Sequence, residues 1–111
     1  MNMGIWAEAM MRWVGPMSTV AAVGQSVVPH RVDDTGRRVA MTIPDHVDII
    51  GNLEQGGQLR FSVSTVLGHA PAGVDVCIFG TEGTLRLLQA GSDPMTLFGG
   101  KRGEDGLSAV E

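Results

Sequence analysis

The sequence predicts an α+β fold, a two-layer arrangement in which one N-terminal helix packs on one face of an open-faced, mostly antiparallel sheet of about six strands. Three observations lead there. Val47, Ile49 and Leu53 alternate with His46, Asp48 and Asn52, and Leu59, Phe61 and Val63 alternate with Arg60, Ser62 and Ser64, which is the period-two pattern of half-buried strands. Many of the 16 glycines of this 111-residue chain fall at turns and strand ends, so the connections are short and neighbouring strands should run antiparallel. Only one stretch, at the N-terminus, has helical composition.

Residues 4–14 (GIWAEAMMRWV) form that helix, because Ala, Met, Glu and Arg are good helix formers. Glu8 and Arg12 stand at i, i+4 in the favourable order. Ile5, Ala9 and Trp13 share one face, with Trp6, Met10 and Val14 beside it. A helix so nearly apolar all round is expected to be buried. Gly15-Pro16 ends it. Residues 17–28 read as a long strand bent at Gly24, and residues 29–36 as a polar connection. Residues 37–43 form a short extended run, with Pro44 holding Ile43 extended.

Residues 45–89 organise the rest. Gln55-Gly56-Gly57 turns the first hairpin, since glycine takes positive φ without steric cost. Residues 74–79 and 84–88 form a second hairpin about Gly80-Thr81-Glu82-Gly83, with Gly83 expected at positive φ. Residues 95–98 read as an edge strand, and residues 99–111 as a polar, Gly-rich tail. At this length the chain is one domain and not two.

Composition narrows the function. Apolar residues make up 43%, charged residues 18%, and the net charge is -4, an ordinary globular balance. Nucleic acid and anionic membranes call for clustered Lys and Arg, yet the basic pair Arg37-Arg38 lies near Asp33-Asp34 and no basic patch is visible. Neither class of partner is expected. Cys77 is the single cysteine, so no disulfide framework exists, and a reducing, cytoplasmic setting follows. No apolar run reaches the roughly 18 residues of a membrane span, and the N-terminus lacks the pattern of a signal peptide.

The helix ending RWVGP, the strand opening TVAAV, the run IPDHVDIIGNLEQGGQLRFSVS and then IFGTEGTLRL together resemble one family over roughly residues 4–90. That family is the glucose–fructose oxidoreductase / inositol dehydrogenase / MocA (Gfo/Idh/MocA) group, and the likeness is to its C-terminal domain. The resemblance implies an NAD(P)-dependent oxidoreductase acting on a sugar, polyol or similar small polar substrate. NAD or NADP would bind an N-terminal Rossmann domain absent from these residues. The present chain would shape the substrate pocket and form a homodimer, or a higher closed oligomer, through the open sheet face. Family members often carry a catalytic His, with an Asp three residues on, at the start of this helix. Those places fall on Trp6 and Ala9, and neither side chain transfers a proton. No catalytic residue is therefore assigned, no cofactor or metal ligand either, and the chain alone is expected to be inactive. Trp6 and Glu8 are the candidates for lining a substrate pocket, Glu8 also reading as an exposed partner of Arg12. The alternative is a non-enzymatic dimerisation or ligand-sensing module built on the same sheet.

Other constellations are weaker. Asp45-His46-x-Asp48 with His69 contains metal-ligand types, but in a strand His46 and Asp48 share a face that Asp45 does not. Exposed strand polars are the preferred reading, and His30 reads as solvated. Gly80-x-x-Gly83 precedes a strand and lacks the helix N-terminus that lets glycine loops hold phosphate. Gly99-Gly100-Lys101-Arg102 lacks the first spaced glycine and the hydroxyl residue of a P-loop.

Overall fold

The computed structural model describes residues 3–69 and 73–110. The helix α1 (Met3–Val14) is followed by β1 (Met17–Gln25), β2 (His30–Val32), β3 (Arg38–Ala40), β4 (His46–Leu53), β5 (Gln58–Ser64), β6 (Val74–Phe79), β7 (Gly83–Gln89), β8 (Thr96–Lys101) and β9 (Ser108–Ala109). Every ladder among them is antiparallel, so the α+β class with one N-terminal helix holds. The strands form three sheets, ordered β1-β4-β5, β2-β3 and β6-β7-β8-β9, where the sequence suggested one sheet of about six. Periodicity and turn residues identify each hairpin, but which hairpins join edge to edge is a non-local backbone choice that leaves no local signal. The chain divides into two compact units, Met1–Leu67 and Gly68–Glu111.

In the first unit, α1 ends where expected. Gly15 takes φ of 82°, and its N–H donates to Met11 O at 2.9 Å, the left-handed stop that only glycine adopts cheaply. The helix is not buried all round. Its covered stripe is Met3, Trp6, Ala7, Met10 and Val14, the i, i+3, i+4, i+7 spacing of a one-sided helix. The stripe of Ile5 and Trp13 points to solvent, at 71% and 49% exposure. A three-stranded sheet can cover only one side of a helix. The Gln55 side-chain amide donates to Val14 O, and Glu54 N–H donates to Pro16 O at 2.9 Å, which ties the helix end to the β4–β5 turn. In that turn Gly56 and Gly57 sit at φ 100° and 99°, as their placement required.

Register sets the two faces of this sheet. Val47, Ile49 and Gly51 stand opposite Val63, Phe61 and Leu59 on β5, and opposite Gly24, Ala22 and Val20 on β1. This is the inner face. The core is thin: Met10 and Ile49, each 7% exposed, are the buried apolar side chains among the described residues. Gly51 is required by close approach, since a Cβ there would lie 2.5 Å from Thr19 O, beside the register shift between Met17 and Thr19. The expected polar connection of residues 29–36 contains β2, which pairs with β3 around a turn where Asp33 accepts from the N–H groups of Thr35 and Arg37, both at 2.9 Å.

In the second unit, β6-β7-β8 is a meander that β9 extends. Residues 96–101 do not form an edge, because Phe98 and Gly99 pair with Ala109 and Ser108. The Gly-rich stretch expected as a tail thus supplies the end of one strand and the whole of another. Small residues let β8 and the returning chain approach closely: a Cβ on Gly100 would meet Gly106 O at 2.6 Å. Gly83 is not at positive φ, which corrects the expected turn geometry. The left-handed glycines are Gly15, Gly36, Gly56, Gly57, Gly91 and Gly103. Gly83 is the first rung of the β7–β8 ladder instead.

Candidate functional site

One polar surface is the outer face of β1-β4-β5. On β4 it carries Asp48, Ile50 and Asn52, opposite Ser62, Arg60 and Gln58 on β5 and Val23, Ala21 and Thr19 on β1. Strand alternation puts these side chains together on the side away from Ile49. Part of the face is a shallow, open concavity of ≈ 490 Å³, lined by Thr19, Ala21, Ile50, Asn52, Gln58 and Arg60 among others. Asn52 Nδ2 donates to Thr19 Oγ1 at 3.0 Å across the strands.

At the other end of β4, His46 Nε2 lies 3.0 Å from Asp48 Oδ2. The Ser62 hydroxyl, then His46, hold the Asp48 carboxyl below the usual carboxylate range. The carboxylate stands between the hydroxyl and the imidazole. A serine nucleophile needs the imidazole next to its hydroxyl, so this arrangement does not activate Ser62. The face thus carries small, hydrogen-bonding side chains, Thr19, Asn52 and Ser62, beside Ile50.

Asp45 is spent elsewhere. Its carboxylate is buried and accepts from the N–H groups of Val27 at 2.7 Å and Val28 at 3.0 Å, with Arg31 at 3.5 Å. The two amides, Val27 first, hold its pKa low, as expected of a carboxylate that accepts several backbone bonds. Asp45 therefore clamps the chain between β1 and β2. Its separation from His46 and Asp48 follows the strand alternation read from sequence, and among the described residues no three His, Cys, Asp or Glu side chains form a group.

Trp6 and Glu8 do not converge. Trp6 is half-buried on the covered stripe of α1. Glu8 lies two residues on, about 200° around the helix, exposed and bonded to Arg12 at 2.9 Å. Ala9 is half-buried near them. The one acid–base contact described on this helix is the exposed Glu8–Arg12 pair, whose guanidinium stays protonated and takes no proton.

In the second unit, Arg86 grips Asp75 through two bonds of 2.9 Å. Each lowers the free energy of the other's charged form, so the Asp75 carboxyl is held below its ordinary range and the Arg86 guanidinium above. Both are about 40% exposed, so solvent screens the pair. Cys77 is exposed beside them. Sequence reasoning singled out neither Asp75 nor Arg86, although opposite charges on facing strands of a hairpin are a readable sign of such a pair.

Among the described residues, the two glycine loops singled out from sequence do not build a dinucleotide cradle. The glycine turn at Gly80 leads into β7, with Gly80 N–H donating to Gly83 O at 2.8 Å. Lys101 N–H is taken by Glu104 at 2.8 Å. Neither loop opens a helix whose N-terminus could hold a pyrophosphate.

No family model and no curated protein matches the chain. Among solved structures, the crystal structure of an NAD binding oxidoreductase from Klebsiella pneumoniae is similar in fold, with a TM-score of 0.74 at 21% identity, covering 91% of this chain and 27% of that one. The chain thus spans about a quarter of that protein's length, and what the two share is the fold of that part.

Proposed function

We propose that this chain is the substrate-pocket and oligomerisation part of an NAD(P)-dependent oxidoreductase of the Gfo/Idh/MocA kind, acting on a sugar, polyol or similar small polar substrate. The dinucleotide-binding half lies outside these residues, and the chain alone does not catalyse. The observation that carries the reading is the fold likeness to a quarter of an NAD binding oxidoreductase, together with the resemblance read from RWVGP, the Gly-rich hairpin and GTEGTL.

Surface exposure supports it. The chain exposes 8467 Å². Two separate compact bodies sharing its 11.7 kDa would together expose about 7,000 Å² by the usual scaling. The excess, about 1,400 Å² on one chain, is more than the roughly 800 Å² per partner of a standard interface. The outward stripe of Ile5 and Trp13 is a surface for the missing half. The outer face of β1-β4-β5, with its small and polar side chains, is the surface for a second copy, giving a homodimer or a closed oligomer built from it. The single exposed thiol fits a reducing, cytoplasmic protein. On this reading the hydride and proton steps belong to residues outside this chain.

The test has two arms. Calorimetry of the chain alone with NADH and NADPH should give no binding tighter than roughly 10 μM, or about -7 kcal/mol. The coding sequence upstream should encode a strand–G-x-G-x-x-G–helix unit. Tight cofactor binding by the chain alone would sink the proposal. A missing upstream unit would favour the second reading, a non-enzymatic dimerisation or ligand-sensing module, toward which Trp6 and Ala9 at the family's acid–base places lean slightly.

A further inference from the structure

Of the seven aspartates in the sequence, Asp105 alone is followed by glycine. The backbone nitrogen of the next residue is the nearest nucleophile to an aspartyl side-chain carboxyl. Attack is hindered by a side chain on that residue, by a hydrogen bond that occupies its N–H, or by bonds that hold the carboxylate. Six of the seven meet such an obstacle. Asp93 precedes Pro94, whose nitrogen carries no hydrogen. Asp34 precedes the β-branched Thr35, which gives its N–H to Asp33 at 2.9 Å. The Asp33 carboxylate accepts from the Thr35 and Arg37 N–H groups, and that of Asp45 from Val27 and Val28. Asp48 is bonded to His46 and Asp75 to Arg86. Asp105 meets none of these. Among the described residues, no ion pair or side-chain hydrogen bond engages its carboxylate, and no backbone hydrogen bond takes the Gly106 N–H. Both residues are exposed. The bonds that anchor this loop, Arg102 N–H to Glu82 O at 2.8 Å and Glu104 N–H to Lys101 O at 3.1 Å, fall before Asp105.

We infer that Asp105-Gly106 is a site of self-modification, isomerising to isoaspartate through a cyclic imide, and that the change releases β9 from β8. The Gly106 nitrogen bonds to Asp105 Cγ, and the hydrogen of that nitrogen leaves with the carboxyl hydroxyl as one water. Water then adds back and opens the ring. Where the bond between the Asp105 backbone carbonyl carbon and the Gly106 nitrogen breaks, that carbonyl becomes a free carboxyl and the main chain runs through Cβ and Cγ. The chain mass is unchanged and nothing is oxidised or reduced. The reacting atoms belong to neighbouring residues, so no second chain enters the step. The added carbon lengthens the main chain by about 1.5 Å, and the fit to β8 leaves no slack for it. Gly106 O lies 2.6 Å from where a Cβ on Gly100 would stand. Beyond it, Phe98 and Gly99 pair with Ala109 and Ser108, and Val110 N–H donates to Leu97 O at 2.8 Å. A bond of that length stretched by so much is lost.

The test ages the chain for weeks at neutral pH and body temperature. Isoaspartate is then read with an isoaspartate-specific carboxyl methyltransferase and a labelled methyl donor, followed by peptide mapping. The label should concentrate in the peptide that contains Asp105, which should also split into two chromatographic peaks of equal mass. Gly106→Ala should lower that label several-fold while keeping the circular dichroism spectrum and Tm. Its Cβ meets nothing within 4 Å, and Gly106 is not at positive φ. Asp105→Glu should abolish the label by enlarging the ring that must close. In the aged chain, hydrogen exchange at the Val110 amide should quicken in proportion to the isoaspartate formed. No label at Asp105, most of the label at another aspartate, or a Gly106→Ala chain that ages as fast as the unsubstituted one would overturn the site. Peptide mapping of the unsubstituted chain decides this even if a variant fails to fold. Isoaspartate at Asp105 with unchanged exchange at Val110 would overturn the release of β9.

Discussion

Replacing Gly83 by alanine tests whether backbone approach, rather than turn geometry, demands glycine there. An ideal Cβ on Gly83 lies 2.5 Å from Gly100 O and 3.2 Å from Lys101 Cα. Carbon–oxygen contacts are comfortable at about 3.3–3.6 Å, so β8 must retreat by about 0.8 Å at this rung. A 2.9 Å hydrogen bond stretched by that much passes the useful limit. The ladder end then either opens, losing one or two bonds at about 0.5–1.5 kcal/mol each, or stays overpacked at about 1–3 kcal/mol. Both routes give a loss of about 1–3 kcal/mol. In a domain this small, each kcal/mol lowers Tm by about 4–8 °C. Thermal unfolding followed by circular dichroism should therefore place Gly83→Ala well below the unsubstituted chain, and Gly83→Asn no higher than Gly83→Ala. Gly36 is the control. Its φ is 81° and nothing lies near its added Cβ, so Asn, which tolerates the left-handed region, should be milder than Ala there. If Gly83→Ala melts with the unsubstituted chain, or if Asn rescues position 83, the close-approach reasoning is refuted.

Asp45→Asn should lower Tm at neutral pH, because it weakens acceptance from the Val27 and Val28 amides. Asp45 titrates below its unfolded value of 3.8, so its contribution is complete above that pH and is lost as pH falls through the folded value. The gap between variant and unsubstituted chain should close in that acid range, and a gap independent of pH would argue against the clamp. Gln55→Leu should cost about 0.5–1.5 kcal/mol by freeing Val14 O, read by urea denaturation; an unchanged midpoint would show that the helix end is held otherwise. Ser62→Arg with Ser64→Glu should weaken association through the outer face while leaving the circular dichroism spectrum intact, because the pair introduces charges that an interface would desolvate. Sedimentation unaltered by the pair would remove that face from the oligomer.

Local chemistry made much of this protein readable in advance. Gly15 after an apolar helix, Gly56-Gly57 between alternating runs, and the alternation itself depend on φ and on period two, which neighbouring residues set. Hence the helix end, the β4–β5 hairpin and the separation of Ile49 from Asp48 were all legible. The tertiary structure decided what depends on distant partners. That Ile5 and Trp13 face solvent while Trp6 and Met10 are covered depends on which side of a uniformly apolar helix meets the sheet, and composition is silent on that. Asp45 became a buried clamp only because the chain after β1 brings two amides to it. Gly83 needs glycine because Gly100, 17 positions away, passes within contact distance, and no turn rule anticipates a neighbour's carbonyl. The division into three sheets likewise depends on backbone groups that every residue carries alike, so no side-chain pattern could announce it.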